Sequence, residues 1–193
     1  MKAREYKSKV AIMALGMLLM MSCLLPGMIP LTPIPTVPAP IMEKNADTLI
    51  ETLKGQDWVY LQSLAKEQYA QEELDRKTPG TLTFTINITD EKPTYFNYGW
   101  CTTTEEILKQ NFEHMEVKLY FNDKELGKDV VHPVTFTRPE GLFCLDYGVM
   151  MSDWPNGKYD LEAVASFKEK INDGIADYAA GDYIFIYNVT VEK

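Results

Sequence analysis

The sequence predicts a mainly β fold, an antiparallel sandwich, that follows an export segment and a helical region. Three observations carry this prediction. Apolar and polar residues alternate in seven segments between residues 81 and 193, turn-forming residues separate those segments, and the first 42 residues differ in composition from the rest. Seven of the ten Met and six of the eleven Pro lie in those 42 residues. The 193-residue chain is long enough for one folded domain behind its leader.

The first 23 residues have the order of a secretory signal peptide or membrane anchor. Residues 1–9 are basic and residues 10–25 form an uncharged, apolar run. The run contains Leu-Met-Met-Ser-Cys at residues 19–23, which resembles the lipobox of bacterial lipoprotein precursors. The resemblance implies lipidation of Cys23 and a membrane-anchored product. An ordinary signal peptide, an uncleaved anchor and a buried core helix are the alternatives, and the first two also place the remainder outside the cytoplasm.

Residues 24–42 predict a Pro-rich linker. Six Pro residues punctuate this stretch, and it carries no charge from residue 26 to residue 40. Such a composition favours extended polyproline II, which spans about 3.1 Å per residue and acts as a semi-rigid spacer. The linker therefore holds the domain behind it away from the membrane.

Residues 43–80 predict a helical segment, in which apolar residues recur at spacings of three and four. Gly55 divides it, Asp57 is the expected N-cap of the second helix, and Thr-Pro-Gly at 78–80 ends it. Residues 53–69 also resemble the opening helices of the NTF2-like family. That resemblance implies an α+β cone as the alternative fold.

The remaining chain, residues 81–193, predicts the β-sandwich. Its seven alternating segments are residues 81–90, 94–100, 115–122, 130–137, 142–151, 158–167 and 182–192. Seven short strands with one Cys pair are typical of an immunoglobulin-like antiparallel sandwich. Thr103 and Glu106 match a capping box, so we expect a short helix over residues 104–114 between two strands.

The three cysteines support an exported domain. If Cys23 takes lipid, Cys101 and Cys144 remain as an even pair, and an oxidising compartment permits a disulfide between them. Two buried free thiols are the alternative. His114 and His132 are the two histidines, and neither lies at ligand spacing from a Cys, so we expect no metal and no cofactor.

Aromatic residues supply the candidate ligand contacts. Tyr95, Tyr98 and Trp100 lie beside Cys101, and Trp154 precedes a turn. Exposed rings of this kind stack on sugars or anchor a protein partner. The alternative for the cluster is a sandwich core packed on the disulfide.

The net charge and the absence of catalytic motifs argue against several classes of function. The chain carries −9 and residues 1–9 carry +3, so the rest carries −12, which argues against a nucleic-acid partner. The sequence contains no Gly-x-Ser-x-Gly, His-Glu-x-x-His or phosphate-loop motif. We therefore predict a non-enzymatic, membrane-anchored, extracytoplasmic binding domain with an envelope protein or glycan as partner. An exported hydrolase with paired carboxylates and a structural envelope component are the alternatives.

Overall fold

The computed structural model describes residues 38–65, 68–89 and 92–193. The predicted leader, Cys23 and most of the predicted linker lie outside these residues. The described residues form twelve strands: β1 (Ile41–Met42), β2 (Val59–Tyr60), β3 (Gly80–Ile88), β4 (Thr94–Thr102), β5 (Met115–Phe121), β6 (Lys124–Glu125), β7 (His132–Thr137), β8 (Phe143–Ser152), β9 (Gly157–Phe167), β10 (Ile171–Asn172), β11 (Asp177–Tyr178) and β12 (Gly181–Val191).

The helices are short and lie before or between strands. They are α1 (Ala46–Gly55), α2 (Gln71–Leu74), α3 (Glu105–His114) and one 3-10 helix (Leu61–Ala65). In the part of the chain that the structure describes, no helix has both the length and the apolar character needed to span a bilayer.

The strands form two main sheets. In the first sheet the order is β2, β4, β8, and both β1 and β7 pair with β8. In the second sheet the order is β3, β12, β9, β5, β6. Neighbours are antiparallel except for β2 with β4 and β3 with β12, which are parallel. The hairpin of β10 and β11 stands apart from both sheets.

The core lies between the facing sides of the two sheets. Phe96 and Val149 from the first sheet and Phe84, Leu161 and Tyr187 from the second are buried there together. Strict alternation explains this arrangement, because every second residue of a strand points to the same side. The mainly β prediction is confirmed, and all seven predicted strands are present. The packed pair of sheets also departs from the NTF2-like cone.

The predicted second helix of the helical segment is wrong. α1 begins after Asn45, whose Oδ1 accepts hydrogen bonds from two backbone N–H groups, and ends at Gly55 as expected. Beyond it, Val59 and Tyr60 form β2 instead of a helix, and the Val59 N–H donates to the Pro93 carbonyl at 2.8 Å. Pairing with the edge of β4 outweighs the helical periodicity here, as tertiary contacts often override local propensity.

The inserted helix is present, but it begins one residue later than the capping box predicts. The Thr104 hydroxyl accepts the Ile107 N–H at 3.2 Å, so Thr104 is the N-cap of α3. Thr103 is held elsewhere, since its N–H donates to the Asp173 carbonyl at 2.9 Å.

Candidate ligand-binding groove

A groove of about 870 Å³ runs along the edge of β4 that faces away from β8. We call it the β4 groove, and we define it by the β4 residues Asn97, Gly99 and Cys101 with Tyr60 and Arg76 on its walls. It exists because β2 pairs with β4 over two residues only, after which the 3-10 helix leads the chain to β3. Its volume is in the range of small-molecule and peptide sites.

A partly buried carboxyl lies on the outer side of the groove, the side of the first sheet that faces α1. Asn97 donates through Nδ2 to Asp146 Oδ2 at 2.7 Å. Burial raises the pKa of Asp146 to about 6, although the Asn97 hydrogen bond and the positive charge of Arg138 act in the opposite direction. Gly99 lies directly opposite Asp146, and a Cβ at Gly99 would collide with the carboxyl oxygen. The glycine therefore makes room for the carboxyl group.

Three aromatic rings form the outer wall. The ring centroids of Trp58 and Tyr95 are 5.7 Å apart, and Tyr60 lies 6.3 Å from each of them. Burial raises the pKa of Tyr60 to about 12, with a further contribution from the negative charge of Asp146. The Tyr60 hydroxyl thus stays protonated at neutral pH and can donate to a ligand.

The inner side of the groove, which faces the second sheet, contains hydrogen-bond donors without acceptors. Arg76 donates through Nη2 to the carbonyls of Gly80 and Ile184, and its guanidinium carbon lies 5.4 Å from the ring centroid of Phe185. Within residues 38–65, 68–89 and 92–193, Arg76 Nε and Trp100 Nε1 are buried and have no hydrogen-bond partner. A buried donor without a partner costs about 1–3 kcal/mol, so an acceptor on a ligand would be favourable here.

The arginines of the folded part converge on this groove. The chain has three Arg, and both that follow the leader, Arg76 and Arg138, line it. Among the described residues, every ion pair to a carboxylate comes from a Lys or a His. Neither Arg76 nor Arg138 takes part in one of these ion pairs, so both can contribute positive charge to the binding of an anionic or acceptor-rich ligand.

The predicted cysteine pair is bridged, and one of its members, Cys101, lines the groove. Cys101 of β4 and Cys144 of β8 are directly opposite in register, and their Sγ atoms are 2.06 Å apart. The bridge joins two neighbouring strands of one sheet, whereas the conserved bridge of antibody domains joins two sheets.

The predicted contact aromatics divide between groove and core. Tyr95, Tyr98 and Trp100 line the groove, although Tyr95 is only 3% and Trp100 only 8% exposed. Trp154 does not suit the contact role that the sequence suggests. It is 3% exposed and packs edge-on against Tyr159, with ring centroids 5.2 Å apart, because the turn folds it back into the core.

The polar residues of the groove were not found from the sequence. Asp146, Asn97, Arg76, Arg138 and Tyr60 come from separate segments, and only the register of β4 with β8 and β2 brings them together. The scarcity of Arg in an acidic chain is a signal that could have drawn attention to Arg76 and Arg138.

No group of three or more His, Cys, Asp or Glu side chains in the described ranges is placed to hold a metal ion.

Comparison with known proteins does not identify a family for the chain. No protein-family model and no curated protein matches the chain. Among solved structures, it is similar to one described as the structure of PbICP-C in complex with falcipain-2, at 11% identity and a TM-score of 0.35, over 61% of this chain and 93% of the other.

Proposed function

We propose that the protein is a non-enzymatic, membrane-anchored, extracytoplasmic binding domain and that its ligand occupies the β4 groove. The observation that carries the proposal is the pair of buried, unpaired donors, Arg76 Nε and Trp100 Nε1, in a groove large enough for a ligand. An envelope protein or a glycan supplies acceptors that match these donors.

The order of the sandwich strands supports an immunoglobulin-like assignment as part of this proposal. The first sheet has the order β2, β4, β8, β7 and the second has the order β12, β9, β5, as for strands A-B-E-D and G-F-C of that fold. The parallel pairing of β2 with β4 and the position of the disulfide depart from the pattern. Domains of this kind commonly present binding surfaces on a rigid scaffold.

The surroundings of Asp146 favour binding over the alternative hydrolase. Glycoside hydrolysis by paired carboxylates needs a second carboxyl group at a fixed separation from the first. Asp75 and Asp173 also line the groove, but the groups that act on the Asp146 carboxyl are the Asn97 amide and the Arg138 guanidinium. With the Asn97 amide and the Arg138 guanidinium beside it, the Asp146 carboxyl is placed to hydrogen-bond to a polar ligand.

Photo-crosslinking tests the groove as the binding site. A photoreactive phenylalanine analogue replaces Phe136, which lines the groove and is 40% exposed, or Ile41, which is 61% exposed on β1 and serves as the control. In the producing cells we expect adducts from position 136 and none from position 41. The variant Arg138→Gln should reduce the adducts, since Arg138 is exposed and lines the groove. Equal adducts from both positions, or none from position 136, would contradict the proposal.

Metabolic labelling tests the anchor. We expect labelled palmitate in the wild-type chain within the membrane fraction and no label in Cys23→Ala. A variant with Ala at both Cys101 and Cys144 is the control and should keep the label. An unlabelled wild-type chain that remains in membranes would exclude lipidation but not export, and an intact chain in the cytosol would exclude both.

A further inference from the structure

Among the described residues, the edge of β4 that faces away from β8 is unpaired beyond Tyr95. β4 pairs with β8 from Thr94 to Thr102, but its other edge pairs with β2 only at Thr94 and Tyr95. Within residues 38–65, 68–89 and 92–193, no strand continues that pairing. An unpaired strand edge presents backbone N–H and C=O groups that can hydrogen-bond to an added strand.

The register shows which backbone groups face the groove. The Cα atoms of Cys101 and Cys144 are 4.1 Å apart, which is the close spacing of a non-hydrogen-bonded antiparallel pair. Odd-numbered residues of β4 therefore direct their backbone groups away from β8, as the bond from Val59 N–H to the Pro93 carbonyl also indicates. Gly99 and Cys101 accordingly present their N–H and C=O groups to the groove, and Gly99 is exposed.

The side chains around this edge form two subsites, one on each face of the first sheet. The outer subsite contains Asp146, Asn97 and Tyr60, and the inner subsite contains Arg76 and Trp100. Asp75 and Asp173 also line the groove, so the positive charge of Arg76 is needed for an acidic side chain to bind there. Successive side chains of a β-strand point to opposite faces. One extended chain paired with β4 would therefore place alternate side chains in the two subsites.

We propose that residues 97–101 of β4 take up an extended peptide as an added strand, and that the inner subsite binds an acidic side chain of that peptide. This inference rests on the proposed function and names its ligand class. A carboxylate in the inner subsite could accept from Arg76 Nε or from Trp100 Nε1, which are buried and have no partner within the described residues. Backbone pairing with pockets for alternate side chains is a known mode of peptide recognition.

The walls of the groove favour a single peptide strand over a second copy of the domain. Gln62 of the 3-10 helix and the segment Leu74 to Arg76 line the groove opposite the β4 edge. A strand that belongs to a folded sheet would bring neighbouring strands about 4.8 Å away into these walls. A free extended segment avoids that collision.

The test selects ligands from random nine-residue peptides displayed on phage, against the full chain solubilised in detergent. We expect enriched peptides with an acidic residue, and amide hydrogen exchange measured by NMR should show new protection at Gly99 and Cys101. Tyr98 and Trp100 are internal controls, because their N–H groups already face β8. A selected peptide should lose more than a hundredfold in affinity when N-methylated at the residues facing β4, and less than about threefold at the intervening residues.

Substitution tests the acidic subsite. Arg76→Gln should weaken a selected peptide at least tenfold, and Lys118→Gln, which also removes one positive charge but lies on β5, should not. N-methylation needs no change in the protein, so that arm remains decisive if Arg76→Gln misfolds.

Three outcomes would overturn strand addition. They are a library without enrichment, selected peptides that leave Gly99 and Cys101 unprotected, and protection that follows dimerisation without peptide. If position 136 gives adducts but the Gly99 and Cys101 amides stay unprotected, strand addition would be excluded. Binding in the β4 groove would still be supported.

Discussion

Replacing Asp146 by Asn should remove a loss of stability that the wild type shows between pH 4 and pH 7.5. Burial raises the pKa of Asp146 from the ordinary 3.8 to about 6, so the folded domain binds this proton more tightly than the unfolded chain. Unfolding then releases the proton, and the free energy of unfolding falls as pH rises from about 4 through about 6. The stabilisation is complete below the unfolded pKa and is lost above the folded one.

The magnitude follows from the pKa difference. At about 1.4 kcal/mol per pH unit, the wild type should lose about 2 to 3 kcal/mol of stability between pH 4 and pH 7.5 through this group. The amide introduced by Asp146→Asn has no proton to lose in this range, and its oxygen could still accept the hydrogen bond that Asn97 donates. The difference between the two proteins should therefore shift by about 2 to 3 kcal/mol in favour of Asp146→Asn over that range.

Urea unfolding at several pH values measures this difference, with the disulfide kept oxidised. Groups other than residue 146 are the same in both proteins, so their contributions cancel in the comparison. Stability curves that run parallel from pH 4 to pH 7.5 would refute the reasoning, because they would show that the Asp146 carboxyl ionises as easily in the folded domain as in the unfolded chain.

Two further predictions concern Gly99 and the disulfide of β4 with β8. Gly99→Ala should lower the free energy of unfolding by about 1–3 kcal/mol through its collision with Asp146, whereas Gly55→Ala, which meets no atom within 4 Å, should change it by less than about 1 kcal/mol in the same urea assay. Equal stability of the two variants would argue against the collision. Serine at both Cys101 and Cys144 should cost about 4 kcal/mol, given the 43-residue separation. Mass spectrometry of a non-reduced tryptic digest should recover the linked wild-type peptides, and free thiols in exported protein would contradict the bridge.

The long strands were predictable from the sequence because each has one buried and one solvated side. In β3 the buried residues are Leu82, Phe84, Ile86 and Ile88, and the residues between them are exposed. The sequence of this strand therefore alternates between apolar and polar residues with a period of two. β2 had no such signal. Its two residues are extended only because the edge of β4 accepts them, and a helical reading of the same stretch was equally consistent with its apolar spacing.

The disulfide was predictable from the sequence, whereas the polar contacts of the groove were not. Parity among three cysteines predicted the pairing of Cys101 with Cys144 on the condition that Cys23 takes lipid, and the structure shows that bridge. The pairing of Asn97 with Asp146 depends on register, because a slip of one residue would move Asp146 to the opposite side of the sheet. Periodicity predicts which residues share a side of one strand, but not which residue of another strand lies opposite.

An open strand edge can pair with another chain and lead to aggregation. The features around β4 explain how this edge can stay open without aggregating. Natural sheets protect their edges with short strands, charges or covering segments. Here the edge is recessed behind Gln62 and Arg76, and Gly99, its exposed residue, offers no side chain to an approaching sheet. The same recess admits a single flexible strand. On this reasoning, the protection against aggregation and the proposed selectivity for extended peptides have one physical cause, so widening the groove should weaken both together.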